Sequence, residues 1–250
     1  MAILALALAS CGEDSSRGDL VFVNGAEPET LDPSIITGQP EGRVVNALFE
    51  GLCAYDENGQ AVPGVAERWE VSPDGKTYSF HLRPDAKWSD GSPLTAEDFV
   101  RSWQRTLTPS TGSQYYYQLY PIKNAQAFGE GKITDFSRVG VRAADPRTLV
   151  VELENPTPYF IQLCAFPTLH PLPVSLIEKL GDDWVKAGNL VGNGAYALES
   201  WRINDKIRLR KNPHYWDRAN VALETIDVLP ISDANVAFNF YASGLADLLM

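Results

Sequence analysis

The amino-acid sequence predicts a mixed α/β fold, and three observations carry that prediction. Runs that read as strands occur both early and late, at Leu20–Val23, at residues 77–83 and at residues 195–201 and 206–210. Stretches with helical spacing of apolar residues fall between and after them, at residues 43–52, 95–107 and 233–241. The two kinds of element follow one another irregularly, without the even alternation of a barrel or the fixed period of a repeat protein. A chain of 250 residues, 44% hydrophobic and 21% charged, is long enough to bury a sizeable core.

Taken in order, residues 2–9 form an apolar run of small residues that stops at Ser10, which reads as a targeting segment rather than as fold. In Leu8-Ala9-Ser10-Cys11 the cysteine stands at a small-residue cleavage site and resembles a bacterial lipobox. Cys11 is therefore expected to carry a lipid anchor, the alternative being an ordinary secretory signal with an incidental cysteine. No Lys or Arg precedes the run, so the natural start is expected to lie elsewhere. Residues 12–18 are polar and Gly/Ser-rich, a short leash. Leu20–Val23, bounded by Asp19 and Asn24-Gly25, reads as a buried strand. Pro28, Pro33, Gly38 and Pro40 keep the next stretch irregular until Val44, Val45, Leu48, Phe49 and Leu52 take up helical spacing from Arg43, with Gly51 as the stop.

Tyr78, Phe80 and Leu82 alternate with polar neighbours, the pattern of a half-buried strand. Residues 89–93 carry turn chemistry, and Thr95 with Asp98 opens a helix whose apolar positions Phe99, Trp103 and Leu107 recur every four residues until Pro109. Leu149, Val151 and Leu153 mark another strand, broken by Pro156 and Pro158, and Val174–Leu180 reads as a short helix closed by Gly181. Asn204-Asp205 joins the two late strands as a hairpin, and Gly244 closes the helix at residues 233–241. Residues 246–250 begin as a strand and have no polar tail, so the chain is expected to be a truncated product.

A formal charge of −11 repels phosphate backbones and anionic headgroups, which argues against nucleic-acid partners and leaves the lipid at Cys11 as the only expected membrane attachment. Beyond the N-terminus no apolar run reaches the roughly 18 residues of a membrane-spanning helix. His81, His170 and His214 lack a second ligand at metal spacing and read as satisfied structural histidines, so no metal and no cofactor is expected. Gly192-Asn193-Gly194-Ala195 is too short to cradle a pyrophosphate and reads as a tight turn. With no nucleophile elbow and no Walker loop, no enzymatic chemistry is expected. Tyr115, Tyr116 and Tyr117 lie in a polar loop where a phenol ring can face a ligand or pack into the core. Cys53 and Cys164 are either a disulfide or two separate buried thiols.

The stretch "PGVAERWEVSPDGKTYSFHLRPDAKWSDGSPLTAEDFVRSWQR" at residues 63–105 resembles the signature region of the extracellular solute-binding proteins of family 5, the oligopeptide and dipeptide receptors of bacterial ABC importers. The resemblance extends over "EPETLDP", "LFEGL", "NGAYALESW" and "NPHYWD" and leans toward the oligopeptide branch. It implies a periplasmic binding protein-like type II fold, in which two lobes close on an extended peptide. Residues 19–46 and 184–250 would form the first lobe, with residues 47–183 inserted as a subdomain and the second lobe missing. The second lobe of such receptors supplies the acidic partner of the peptide's α-ammonium and most side-chain pockets. Thr37, Gly38, Gln39 and Pro40 match a segment that runs beside the bound peptide and exchanges main-chain hydrogen bonds with it. Thr37 stands where relatives often have a carboxylate, and Tyr115 matches a tyrosine lining the cleft. Trp69, Trp88, Trp103, Trp201 and Trp216 read as core.

The reading that follows is a monomeric, cell-envelope lipoprotein that delivers short peptides to membrane permease subunits. The alternatives are a murein-peptide receptor, a receptor for nickel, haem, sugar or opine, a non-functional gene fragment and, more remotely, a secreted hydrolase. The ligand-selective residues of the family would lie outside this chain.

Overall fold

The computed structural model, which describes residues 17–250, sets the first strand of the chain among the last ones. The expected targeting segment, the expected lipidation site Cys11 and the start of the expected leash lie outside the described residues. The elements in chain order are β1 (Leu20–Val23), α1 (Gln39–Leu48), β2 (Cys53–Tyr55), β3 (Ala61–Pro63), β4 (Ala66–Val71), β5 (Thr77–Leu82), α2 (Ala96–Leu107) and α3 (Ala125–Gly129). They continue with β6 (Val141–Asp145), β7 (Thr148–Glu152), α4 (Phe160–Leu163), α5 (Val174–Leu180), β8 (Tyr196–Arg202), β9 (Lys206–Lys211), β10 (Thr225–Leu229), α6 (Ala234–Ala242) and β11 (Leu248–Leu249).

One sheet runs β11-β1-β10-β9-β8, with β1 parallel to both of its neighbours and the remaining pairs antiparallel. An interior strand covered on both faces should be apolar throughout, and β1 is. Its alternation splits the side chains: Val21 and Val23 pack with Ala237 and Ala246 beneath α6, while Phe22 enters the main core on the other face. Asp227 of β10 faces Arg208 of β9 across the ladder and is held by its guanidinium at 2.7 and 2.9 Å. The N–H of Gly18 donates to the same carboxylate at 2.9 Å, and Arg17 pairs with Asp247 at 2.7 Å, so the last two residues of the expected leash are tied to this sheet.

The second large sheet, β4-β5-β7-β6, is antiparallel throughout. Tyr78, Phe80 and Leu82 of β5 are buried as their alternation predicts, and they join Leu149 and Val151 of β7 in the same core. Helix α2 begins where Thr95 and Asp98 predict: the Asp98 carboxylate accepts from the Thr95 N–H at 2.7 Å and from its hydroxyl at 2.9 Å. Phe99, Trp103 and Leu107 are buried, and the Trp103 indole donates to the Leu169 carbonyl at 2.9 Å. A two-stranded ribbon, β2-β3, completes the sheets. Among the described residues no helix is long and apolar enough to cross a membrane.

Three expectations change. Helix α1 starts at Gln39, not Arg43, because Pro40 sits in the first turn, where its missing N–H has no helical acceptor to satisfy. The helix ends at Leu48, and Gly51 instead permits a close approach of two chain segments, since a Cβ there would collide with the Cys164 carbonyl. The Gly192-Asn193-Gly194 stretch is a seam rather than a tight turn. Gly194 donates to the Leu48 carbonyl at 2.9 Å, and side chains at Gly192 or Gly194 would strike the end of α1.

Candidate binding cleft

The cleft starts from Asp32, whose carboxylate accepts the Ser34 N–H at 2.9 Å and both arms of the Arg105 guanidinium at 3.2 and 2.6 Å. Its carbonyl accepts from Ile35 and Ile36, and the Ser34 hydroxyl meets that of Thr106 at 2.9 Å. Arg105 and Thr106 belong to α2, so a rigid helix fixes residues 32–36 from behind. The chain leaves this anchor extended at Gly38 (φ −97°, ψ 158°), and the Gly38 carbonyl accepts the Gly42 N–H at 3.1 Å as α1 begins. Gly38 leaves room for the Glu41 carboxylate, which folds back over it; a Cβ there would push that carboxylate aside.

Thr37, Gly38 and Gln39 form one side of a cavity of about 290 Å³. Arg43 and Asn46 of α1, Tyr55 of β2, Tyr115 and Phe166 form the rest of its wall. All four residues singled out for ligand contact are thus brought together. The Tyr115 hydroxyl lies 3.5 Å from the Thr37 carbonyl, and its ring meets Phe166 edge-on with centroids 5.7 Å apart. Tyr116 turns away to pack edge-on against Tyr120, and Tyr117 is half exposed beside Tyr115. Among the described residues the N–H groups of Thr37 and Gly38 donate to no protein acceptor. The one charged lining group is Arg43, whose guanidinium is occupied by the Asn24 carbonyl at 3.1 Å and side-chain oxygen at 3.0 Å. The cavity therefore offers aromatic surface, main-chain donors and one cation whose hydrogen-bond partners are neutral.

A second, inner cavity of about 290 Å³ adjoins the first and shares Asn46 and Tyr55 with it. Glu50 lines it, held by the Tyr215 hydroxyl at 2.5 Å and the Trp216 indole at 2.7 Å. Asn193 completes the hold, accepting the Glu50 N–H at 3.1 Å and donating to its carbonyl at 2.8 Å. Burial raises the Glu50 carboxyl above its ordinary range, against the hydrogen bonds from Tyr215 and Trp216 and the charge of Arg83. Arg83 itself stacks 3.5 Å above the Trp216 ring. Three motifs, "LFEGL", "NGAYALESW" and "NPHYWD", thus converge on one residue, Glu50.

His170 also lines this inner cavity, and burial lowers its pKa to about 4. Its Nε2–H donates to the Ala165 carbonyl at 3.3 Å, which leaves Nδ1 as an acceptor without a partner. The expectation of a satisfied histidine fails there, and at His81, whose Nε2 has no hydrogen-bond partner although a Glu70 carboxylate oxygen lies 3.3 Å away. A larger cavity of about 470 Å³ lies apart, lined by Lys123, Arg138, Arg142 and Glu152, with no aromatic wall.

Tyr55, Phe166, Arg43 and Asn46 escaped the sequence reading. A signal existed for two of them, since Gln39, Arg43 and Asn46 recur at helical spacing opposite the buried Val44, Val45 and Leu48. Tyr55 and Phe166 sit in short elements with no periodicity to reveal them.

The sequence pattern of the bacterial extracellular solute-binding proteins, family 5 Middle, matches residues 60–250. The periplasmic oligopeptide-binding protein OppA of Escherichia coli (strain K12) is 46% identical over 238 residues, covering 94% of this chain and 43% of the relative. The probable deoxycholate-binding periplasmic protein YgiS of the same organism is 45% identical over 229 residues, covering 91% and 43%. Among solved structures, Haemophilus influenzae OppA in complex with RPPGFSPFR matches with a TM-score of 0.87 at 43% identity, covering 91% of this chain and 44% of that one. The chain spans less than half the length of these curated relatives.

Proposed function

Since the chain belongs to the bacterial extracellular solute-binding proteins of family 5, we propose that it serves an ABC importer by holding short peptides in the cleft between residues 36–39 and the rings of Tyr55, Tyr115 and Phe166. The observation that carries this reading is the pair of unclaimed N–H groups at Thr37 and Gly38, where the chain is extended at Gly38 and braced from behind by Asp32 and Arg105. A peptide laid beside it gains main-chain hydrogen bonds whatever its sequence, the logic of strand addition. Aromatic walls then cover side chains without demanding a particular one. The OppA relatives, one of them solved with a nonapeptide, support the same ligand class. No carboxylate lines the outer cavity, so the partner of a peptide's α-ammonium belongs to an opposing lobe.

In this reading residues 19–46 and 184–250 make up the first lobe and residues 47–183 an inserted subdomain. The periplasmic relatives support an extracytoplasmic location. The lipid anchor at Cys11 rests on the sequence alone, as does action as a monomer beside membrane permease subunits. Ligand release and capture are the whole of the activity, with no bond made or broken.

Nuclear magnetic resonance of the ¹⁵N-labelled chain tests the cleft directly. Millimolar mixed tri- to pentapeptides should move the amide signals of Thr37, Gly38 and Gln39, weakly because one side of the cleft is open. Silence at those amides while other regions respond would refute the assignment. The deoxycholate-binding relative motivates a second reading, a bile-acid-like amphiphile against the same rings. Deoxycholate moving these signals while peptides do not would favour it, and a murein tripeptide provides the third arm.

A further inference from the structure

We propose that Cys53 and Cys164 are joined by a disulfide in the mature protein, and that this bond fastens the two aromatic walls of the cleft to each other. The sequence leaves the pair open; the fold brings it together. The N–H of Cys53 donates to the carbonyl of Cys164 at 3.3 Å. A single backbone hydrogen bond between two residues keeps their Cα atoms within about 5–7 Å, a range that overlaps the roughly 4.4–6.8 Å a disulfide spans. Both cysteines are fully buried in the same core cluster, and both carry free thiols in the structure. The chain's third cysteine is Cys11, outside the described residues, so among the described residues each has the other as its only possible partner.

The placement gives the bond a mechanical role. Tyr55 follows Cys53 by two residues and Phe166 follows Cys164 by two, and both rings line the outer cavity. The Tyr55 hydroxyl donates to the Gln162 carbonyl at 2.8 Å, a second tie across the same seam. A covalent link here would fix the spacing of the two walls across more than a hundred residues of intervening chain. Burial also decides when the bond forms. It pushes the Cys53 thiol up to about 12, with the Glu50 charge adding to it, and raises the Cys164 thiol well above its ordinary range. Folded, the thiols are poor nucleophiles, so closure belongs to the folding chain, before the core shuts. The oxidant is a small-molecule disulfide or an oxidised protein dithiol. Its S–S bond breaks as the Cys53–Cys164 bond forms, and two protons and two electrons end on its sulfurs.

The occurrence of the bond in the cell rests on the extracytoplasmic location proposed above, whereas its geometry does not, and the experiment separates them. The chain is reduced, unfolded, refolded in a mixture of oxidised and reduced glutathione, then alkylated in denaturant and mapped by mass spectrometry. The expected result is a linked pair of peptides containing Cys53 and Cys164, with neither thiol alkylated, and a melting temperature on the order of 10 °C above that of the reduced chain. Full alkylation of both thiols in the refolded, soluble chain would overturn the pairing. The Cys164→Ala variant should leave Cys53 fully alkylated and abolish the effect of reductant on melting; a reductant effect that persists in the variant would also overturn it. Protein recovered from cells by acid quenching should carry the bond. A bond formed in vitro but absent there would count against the location and not against the pairing.

Discussion

His170 meets the inner cavity as a neutral imidazole, with its Nε2–H on the Ala165 carbonyl and Nδ1 bare, and its pKa lies at about 4 because burial disfavours the cation. In the unfolded chain the same group titrates near 6.5. Between those values the unfolded state binds a proton that the folded state refuses. The stability contribution is therefore complete above about pH 6.5 and is lost as the pH falls toward 4, roughly 3 kcal/mol at 1.4 kcal/mol per unit. Glu50, raised by burial, titrates in the opposite sense, and Asp227 is lowered, its Arg208 and Gly18 hydrogen bonds and nearby cations outweighing burial, so its loss comes only below the usual carboxylate range. The clean measurement is therefore a difference. His170→Gln keeps a donor for Ala165 and removes the titration, so urea midpoints at pH 7 and pH 4.5 should drop less in the variant than in the natural chain. Equal drops would deny His170 this role. At this scale the sequence located Thr37, Gly38, Gln39 and Tyr115 through the resemblance of whole motifs. It could not show that His170 keeps a bare nitrogen, because that depends on the local turn that brings the Ala165 carbonyl to the ring and on residue 51 arriving from elsewhere in the chain.

Helix α2 does two jobs, burying Phe99, Trp103 and Leu107 in the core and presenting Arg105 and Thr106 to the segment that walls the cleft. Asp32 is almost wholly buried beneath that guanidinium. Removing one partner of such a pair leaves a charge out of water without compensation, so Arg105→Ala should cost about 3 kcal/mol by chemical denaturation. It should also broaden the amide signals of Ile36, Thr37 and Gly38, since their brace is gone. Arg105→Lys should recover only part of the loss, because an ammonium cannot match the two-armed contact. Unchanged stability in the alanine variant would show the pair to be idle. Elements with a strong internal period were legible: β5 by its alternation, α2 by its capping residues and four-residue repeat, and the β8–β9 hairpin by Asn204, which takes φ 57° at the turn. Others had no such period. β4 exposes side chains on both faces, and β10 interrupts its apolar run with Asp227, whose partner Arg208 is what makes its burial tolerable.

The whole molecule is organised by one long-range event, the insertion of β1 between β10 and β11, which joins the first described residues to the last. Local patterns identify β1 as a buried strand but do not name its neighbours, so the topology came only with the resemblance and the structure. The same arrangement leaves one flank apolar and uncovered. Val236, Phe238 and Tyr241 of α6, with Leu245 and the β11 residues Leu248 and Leu249, are all exposed. Ala237 and Phe240 on the inner side of α6 pack on the β1 face. A helix with apolar residues on both sides is normally buried on both, and the relatives are more than twice as long as the stretch matched here. In our reading an opposing lobe covers this flank, and the flank contributes little to the stability of the chain alone. Phe238→Ser with Leu245→Ser, at positions 59% and 56% exposed, should therefore change the unfolding free energy by no more than about 0.5 kcal/mol each. The same pair should suppress concentration-dependent self-association in sedimentation velocity and weaken binding of an apolar dye, because an exposed contiguous patch drives both. A loss of several kcal/mol would place these side chains in the core of the lobe itself. Unaltered sedimentation and dye binding would mean that the flank is not a contact surface.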